Sequence, residues 1–195
     1  MTPITIRTIK DFFGKGIGRL VNLGCGDGRY DALLSEYGSV TAIDLDPMPL
    51  LKLKRDNPRF NGNNLLVQAK VQVLPMGEGT IQAVFSAGFI HLFDHTTLKE
   101  KIAPEIIRIL EPGGKMFLDF SYDIQRLDIK TGLPYKGGEK PSIDREGVIN
   151  SIINAFPDFQ IEFEDGDLIE REFADANPPY KIICKNLIVT AIKNS

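Results

Sequence analysis

The sequence predicts an α/β fold in which a mainly parallel sheet carries helices on both faces. Three observations predict it. Short apolar runs alternate with stretches of helical spacing along the chain. The first such run feeds directly into a glycine-rich turn and then a helix. The strand–helix order continues to Phe120 without an internal repeat or a linker. Sheets of this kind bind ligands at the carboxyl ends of their strands.

The elements follow in order. Ile6, Ile9, Phe12 and Phe13 share helical spacing, and Gly14 with Gly16 ends that segment. Leu20 to Leu23 is a buried strand running into glycine. Asp31 to Tyr37 is a helix closed by Gly38. Val40 to Leu45 is a second strand. Leu50 to Arg55 is a helix entered through Pro47 and Pro49, with Asp46 as its cap. Leu65 to Ala69 and Ala83 to Ser86 are the third and fourth strands, the latter after the turn Gly77-Glu78-Gly79. Thr97-Leu98-Lys99-Glu100 fits a capping box for a helix that restarts at Pro104 and runs to Leu110. Pro112-Gly113-Gly114 turns the chain into a fifth strand, Lys115 to Phe120. Ser121 to Asp144 is polar and aperiodic, which predicts a loop or lid. Arg145 to Phe156 is a helix. Phe159 to Phe163 and Leu187 to Ile192 are closing strands.

Size and composition are those of one ordinary globular domain, taken as residues 1–195. The formal net charge of -3 gives no strong nucleic-acid signature. The basic run Lys52-Leu53-Lys54-Arg55 reads as a solvated helix face. No apolar run approaches a membrane span, and Met1 to Thr5 lacks the order of a secretion signal. Cys25 and Cys184 are too few for a disulfide framework or a four-cysteine zinc site, so a cytoplasmic location without structural metal is expected. Self-association stays open.

Glycines at 24, 26 and 28 lie between a strand and a helix. Glycine lets the backbone approach a ligand, and the helix start beyond offers unpaired N–H groups. A nucleotide-like ligand with a carboxylate or phosphate suits that combination. The dinucleotide fingerprint G-x-G-x-x-G needs glycine at position 29, where this chain has arginine. Asp44 ends the second strand, and a carboxylate there can accept from both hydroxyls of a ribose.

These residues resemble the class I S-adenosylmethionine-dependent methyltransferases. Val21-Asn22-Leu23-Gly24-Cys25-Gly26-Asp27-Gly28-Arg29-Tyr30 is similar to the first motif of that family and Ala42-Ile43-Asp44 to the second. Leu74-Pro75, Ala83-Val84-Phe85-Ser86 and Ile90-His91 are similar to the fourth-strand region, and Arg108 to Lys115 to the entry of the fifth strand. The resemblance implies a three-layer, Rossmann-like, seven-stranded sheet with an antiparallel last strand. It also implies methyl transfer from S-adenosyl-L-methionine. Gly24, Cys25, Gly26, Asp27 and Gly28 would hold the amino-acid part of the cofactor, and Asp44 its ribose. Leu45 and Val71 would flank the adenine, with Tyr30, Lys70, Ser86 and Ala87 also at the cofactor. Lys70 and Gln82 stand where the family often has aspartate. An ammonium cannot accept from the adenine amino group, so Gln68, Gln72 or a carbonyl must.

His91 is the candidate general base, with a packed, loop-holding histidine as the alternative. His95 reads as surface capping. Cys25 has no evident base partner and reads as packing. Tyr122, Arg126 and Tyr135, in the predicted lid, are candidate contacts for a small-molecule methyl acceptor. Asn177-Pro178-Pro179-Tyr180 is similar to the motif of methyltransferases acting on amino groups, but it lies far from the fourth strand and reads as a loop. The leading function is methyl transfer to a small molecule; the alternatives are methyl transfer to nucleic acid or protein, a degenerate or cofactor-binding module without catalysis, and a nicotinamide-dependent oxidoreductase that Arg29 disfavours.

Overall fold

A computed structural model describes residues 2–56, 64–135 and 143–195. Helix α1 (Pro3–Phe12) starts at Thr2, whose hydroxyl accepts from the Thr5 N–H. Strand β1 (Gly18–Leu23), helix α2 (Asp31–Leu34), strand β2 (Gly38–Asp44), helix α3 (Pro47–Asp56), and strands β3 (Leu65–Gln68) and β4 (Ile81–Ala87) follow. The next helical stretch is α4 (His95–Thr97), a π turn (Leu98–Ile102) and α5 (Ala103–Ile109). Strand β5 (Leu110–Asp128), helix α6 (Arg145–Ala155), and strands β6 (Phe159–Asp165), β7 (Ile169–Phe173) and β8 (Tyr180–Lys193) complete the described chain.

The sheet order is β3-β2-β1-β4-β5-β8-β6, with β7 also paired to β8. Strands β1 to β5 are parallel, and β8 inserts antiparallel between β5 and β6. Seven strand positions therefore cross the sheet, as the resemblance implies. The eighth strand, β7, continues the edge line that β6 begins. Both pair with β8, β6 with its end and β7 with its start.

Alternation along each strand sends side chains to two cores. Leu20, Val40, Ala83, Phe85, Phe117 and Ile188 face α1, α2 and α3. Val21, Ile43, Val84, Leu118 and Val189 face α5 and α6. Burial on both faces explains why the parallel strands read as continuous apolar runs.

Two local expectations are corrected. The helix after β4 is capped by Asp94, whose carboxylate accepts from the Thr97 N–H at 2.8 Å, so Thr97 already lies inside the helix. Asp94 precedes an extended-to-helical switch, and its short carboxylate reaches the orphan N–H better than a residue already in helical geometry. The polar stretch from Ser121 is not wholly loop. β5 runs on to Asp128 and pairs with β8 as far as Asp128 opposite Tyr180. A bulge between Tyr122 and Gln125, with Asp123 at φ 47°, breaks the alternation that would have revealed this strand. Part of that predicted lid, residues 136–142, lies outside the described residues.

Candidate cofactor and acceptor site

Parallel strands β1, β2 and β4 end side by side, and the glycine loop leaves the carboxyl end of β1. Gly24, Gly26 and Gly28 all have positive φ, at 65°, 53° and 77°. Side chains at these positions would be strained, and two would also collide. A Cβ on Gly24 would enter the Phe89 ring, and one on Gly28 would enter Leu53. Gly26 differs: nothing lies within 4 Å of where its Cβ would be. Its bare backbone faces open space, as a ligand-cradling glycine requires.

The loop is tied to β2. The Cys25 N–H donates to the Ile43 carbonyl at 2.9 Å. The Gly26 N–H donates to Asp44 Oδ2 at 2.9 Å, and the Asp46 N–H donates to Asp44 Oδ1 at 3.0 Å. Each Asp44 oxygen keeps a further lone pair for a ligand hydroxyl. Asp46 caps α3 through the Met48 N–H at 2.9 Å, as its position before Pro47 predicts. Leu45, beside Asp44, is 58% exposed and offers an apolar surface at that edge. A cleft of ≈ 610 Å³ opens alongside, lined by Asp27, Asp46, Met48 and Lys52. Asp27 is exposed and lies 3.6 Å from the Lys52 ammonium.

The remaining expected residues fall into distinct settings. Lys70 is exposed, and its carbonyl accepts from the Val73 N–H in a turn. Val71 is buried in the core on the α5 side. Gln68 donates its amide to the Leu45 carbonyl at 3.1 Å. Ser86 is buried and donates to the Leu23 carbonyl at 3.0 Å, joining β4 to β1 just before the loop. Ala87 ends β4, and Tyr30 packs on Phe85 with ring centroids 5.0 Å apart. His91 lies in a 3₁₀ turn, Ile90–Leu92, with Nδ1 buried and without a hydrogen-bond partner among the described residues. Burial lowers its pKa, which favours neutral imidazole. Burial raises the Cys25 thiol far above its usual range, which disfavours a nucleophilic thiolate.

Tyr122, Arg126 and Tyr135 are not gathered over the loop. Tyr122 is buried in the core, with its hydroxyl 3.4 Å from Asp165. Arg126 pairs with Ile182 in the extension of β5. Tyr135 packs on Tyr180 at 5.2 Å, and Tyr180 stacks on Phe173 at 4.7 Å. Tyr180 of the Asn177-Pro178-Pro179-Tyr180 segment therefore belongs to an aromatic cluster where β7 turns into β8.

Two carboxylates escaped the sequence reading. Asp31 is fully buried beneath the loop; the Asn22 amide donates to its Oδ1 at 2.9 Å, while Oδ2 has no partner among the described residues. Asp119 is buried in the middle of β5, opposite Ala87 at the end of β4. Burial raises both to about 6. A polar residue inside an apolar run, as in Leu20-Val21-Asn22-Leu23 and Phe117-Leu118-Asp119-Phe120, is the signal that could have found them.

Among the described residues, no group of three or more His, Cys, Asp or Glu is placed to hold a metal. No described helix is long and apolar enough to cross a membrane.

The methyltransferase domain family matches residues 21–118, half of the chain. A ubiquinone/menaquinone biosynthesis C-methyltransferase of Klebsiella pneumoniae is 32% identical over 52% of this chain and 41% of its own length. An uncharacterized methyltransferase of Mycobacterium bovis is 28% identical over 56% of this chain and 42% of its own. The chain thus spans less than half the length of these curated relatives. The fold of a Methanosarcina mazei S-adenosylmethionine-dependent methyltransferase superposes with a TM-score of 0.68 at 17% identity, over 100% of this chain and 98% of that one. A putative methyltransferase of Bacillus halodurans gives 0.71 at 11% identity, over 97% and 99%. The glycine loop, the fourth-strand region and the entry to β5 all fall inside the matched segment, and this chain belongs to the class I S-adenosylmethionine-dependent methyltransferase family.

Proposed function

We propose that the chain transfers a methyl group from S-adenosylmethionine to a small-molecule acceptor. One observation carries this reading: Gly26 is open on its Cα face while its N–H is fixed to the ribose-binding candidate Asp44. The backbone and the carboxylate are held in one arrangement before any ligand arrives, which lowers the ordering cost of binding.

In this reading Gly24 to Gly28 hold the amino-acid end, Asp44 the ribose, and exposed Leu45 one face of the adenine. Val71 supports that edge from within the core. Lys70 lies at the rim, where its carbonyl and the nearby Gln72 replace the missing carboxylate as acceptors. Tyr30, Ser86 and Ala87 stand towards the reacting end, with neutral His91 nearby as a group able to accept a proton. The cofactor supplies a methyl on a sulfonium, which is already a good leaving group. The protein then has to align the acceptor and exclude water. The relative named for ubiquinone/menaquinone biosynthesis supports a small-molecule acceptor.

Calorimetric titration with S-adenosylhomocysteine tests this reading. Saturable binding that Gly26→Val abolishes is expected. A flat titration of the folded wild-type chain would overturn it.

A further inference from the structure

Asp31 opens α2, and its N–H donates to the Gly28 carbonyl at 3.0 Å. Its carboxyl turns back beneath the glycine loop. Oδ2 stands 2.9 Å from the point that a Cβ on Gly28 would occupy. The side chain is fully buried, with the neutral Asn22 amide on Oδ1. Among the described residues Oδ2 has no hydrogen-bond partner, and no cation is paired with the carboxyl.

A carboxylate in such a place is costly, so the group keeps its proton unless a counter-charge arrives. Burial accordingly raises its pKa to about 6. The neighbouring groups do not bring that counter-charge. On the loop, burial keeps the Cys25 thiol protonated, and its pKa also feels the charge of Asp31. Burial raises Tyr30 to about 12, while Asp27 and Arg29 are exposed. From β2 comes the Asp44 carboxyl, tied to the Gly26 N–H. From α3 comes Lys52, which lies 3.6 Å from Asp27 at the surface. The end of α2 adds exposed Glu36 and buried Tyr37, whose pKa burial raises, and β5 adds Asp119, which acts on Tyr30. The amino-acid end of S-adenosylmethionine is a zwitterion, so its net positive charge is that of the sulfonium.

We propose that Asp31 is the buried counter-charge for the sulfonium: it holds a proton in the empty chain, releases it to solvent when the cationic donor binds, and so sets the preference for S-adenosylmethionine over its neutral-sulfur product. The inference rests on the methyl-transfer reading and concerns the electrostatics of the same site. Asp31 touches neither ligand and acts through the loop above it. When the methyl leaves, the carbon–sulfur electron pair stays on sulfur and cancels its charge. Asp31 then loses its counter-charge, which favours product release and return of the proton. Near pH 5 the empty chain holds the proton, and donor binding has to displace it. As pH rises through 6 the empty chain already carries the carboxylate, and donor affinity rises. The product shares the ammonium and carboxylate of the donor, so the ratio of the two affinities isolates the sulfonium.

The test measures S-adenosylmethionine and S-adenosylhomocysteine binding to the full chain by calorimetry between about pH 5 and 7, in two buffers of different ionisation enthalpy. The affinity ratio is expected to move towards the donor by at least about threefold across that range, with more protons released on donor binding than on product binding. Asp31→Asn keeps an oxygen for the Asn22 amide. It is expected to flatten the ratio and remove the difference in proton release. Asp119→Asn, which changes the other carboxyl near 6, is expected to leave both in place. A carbon-13 titration of the wild-type Asp31 carboxyl reads the same event without a variant: S-adenosylmethionine should lower its midpoint more than S-adenosylhomocysteine does. A pH-independent ratio, a midpoint that the donor does not move, or loss of the effect in Asp119→Asn alone would overturn the inference, while the methyl-transfer reading stands on the binding itself. If neither ligand binds the folded chain, that reading fails and the role of Asp31 fails with it.

Discussion

The parallel and antiparallel halves of the sheet meet the site edge differently. Strands β1 to β4 have four to seven residues and stop together, at Leu23, Asp44, Gln68 and Ala87. Strands β5 and β8 have 19 and 14 residues, and the extension of β5 overshoots that edge, paired with the start of β8. The difference follows from connection. A parallel strand must release the chain into a crossover, whereas antiparallel neighbours can lengthen together as a ribbon. The short strands leave loops that can hold a cofactor. The long pair supplies a wall and, at Asp119 and Asn186, a polar floor.

The sharpest test of this division is at the glycine loop. Gly26→Val adds a branched side chain at φ 53° and fills the open face, so S-adenosylhomocysteine affinity should fall more than about 100-fold, about 3 kcal/mol. Calorimetry reads the loss, and circular dichroism should show an intact fold. A core truncation tests what joins the halves. Phe85 of β4 stacks on Phe117 of β5 at 5.0 Å, and both are fully buried. Phe85→Ala should cost about 3–5 kcal/mol in urea unfolding.

Next comes pH. The fold raises Asp31 from its ordinary value to about 6, so it favours the protonated acid. Below about pH 4 both folded and unfolded chains hold the proton, and the site carries no penalty. As pH rises towards 6 the unfolded chain releases it first, and stability drops. Asp31→Asn should therefore gain on wild type between pH 4 and 7, by about 3 kcal/mol at most. Equal urea midpoints across that range would refute the effect.

Smaller effects belong to the long ribbon. Tyr180→Ala removes its contacts with Phe173 and Tyr135 and should cost about 1–2 kcal/mol, read as faster amide exchange in β7 and the start of β8. Cofactor affinity should stay within twofold; a larger loss would couple ribbon and loop more tightly than the division allows. Arg145→Ala, at an exposed 2.8 Å pair with Asp165, should leave the urea unfolding midpoint nearly unchanged.

Much of the parallel half was legible because its signals are local. Leu20 to Leu23 followed by alternating glycines, or Ala42-Ile43-Asp44 before Pro47, carry their meaning within a few residues. Both faces are buried, so apolar runs betray the strands. The ribbon was not legible for the converse reason. Tyr122 to Asp128 becomes strand only because β8, more than fifty residues later in sequence, offers it a partner, and the bulge at Asp123 spoils the period. The same holds for Thr97, which satisfies capping spacing while Asp94 caps the helix.

The sequence by itself determined the α/β class, the glycine loop, its acidic partner on β2 and the family, since each depends on residue types at short spacing. Tertiary structure alone decided which polar residues are trapped. Asp31 and Asn22 are nine residues apart, and Asp119 and Asn186 sixty-seven, yet each pair is enclosed together. Burial, not spacing, changes the protonation of these carboxylates. Burial depends on how α1, β5 and β8 close over one another, which no local pattern records.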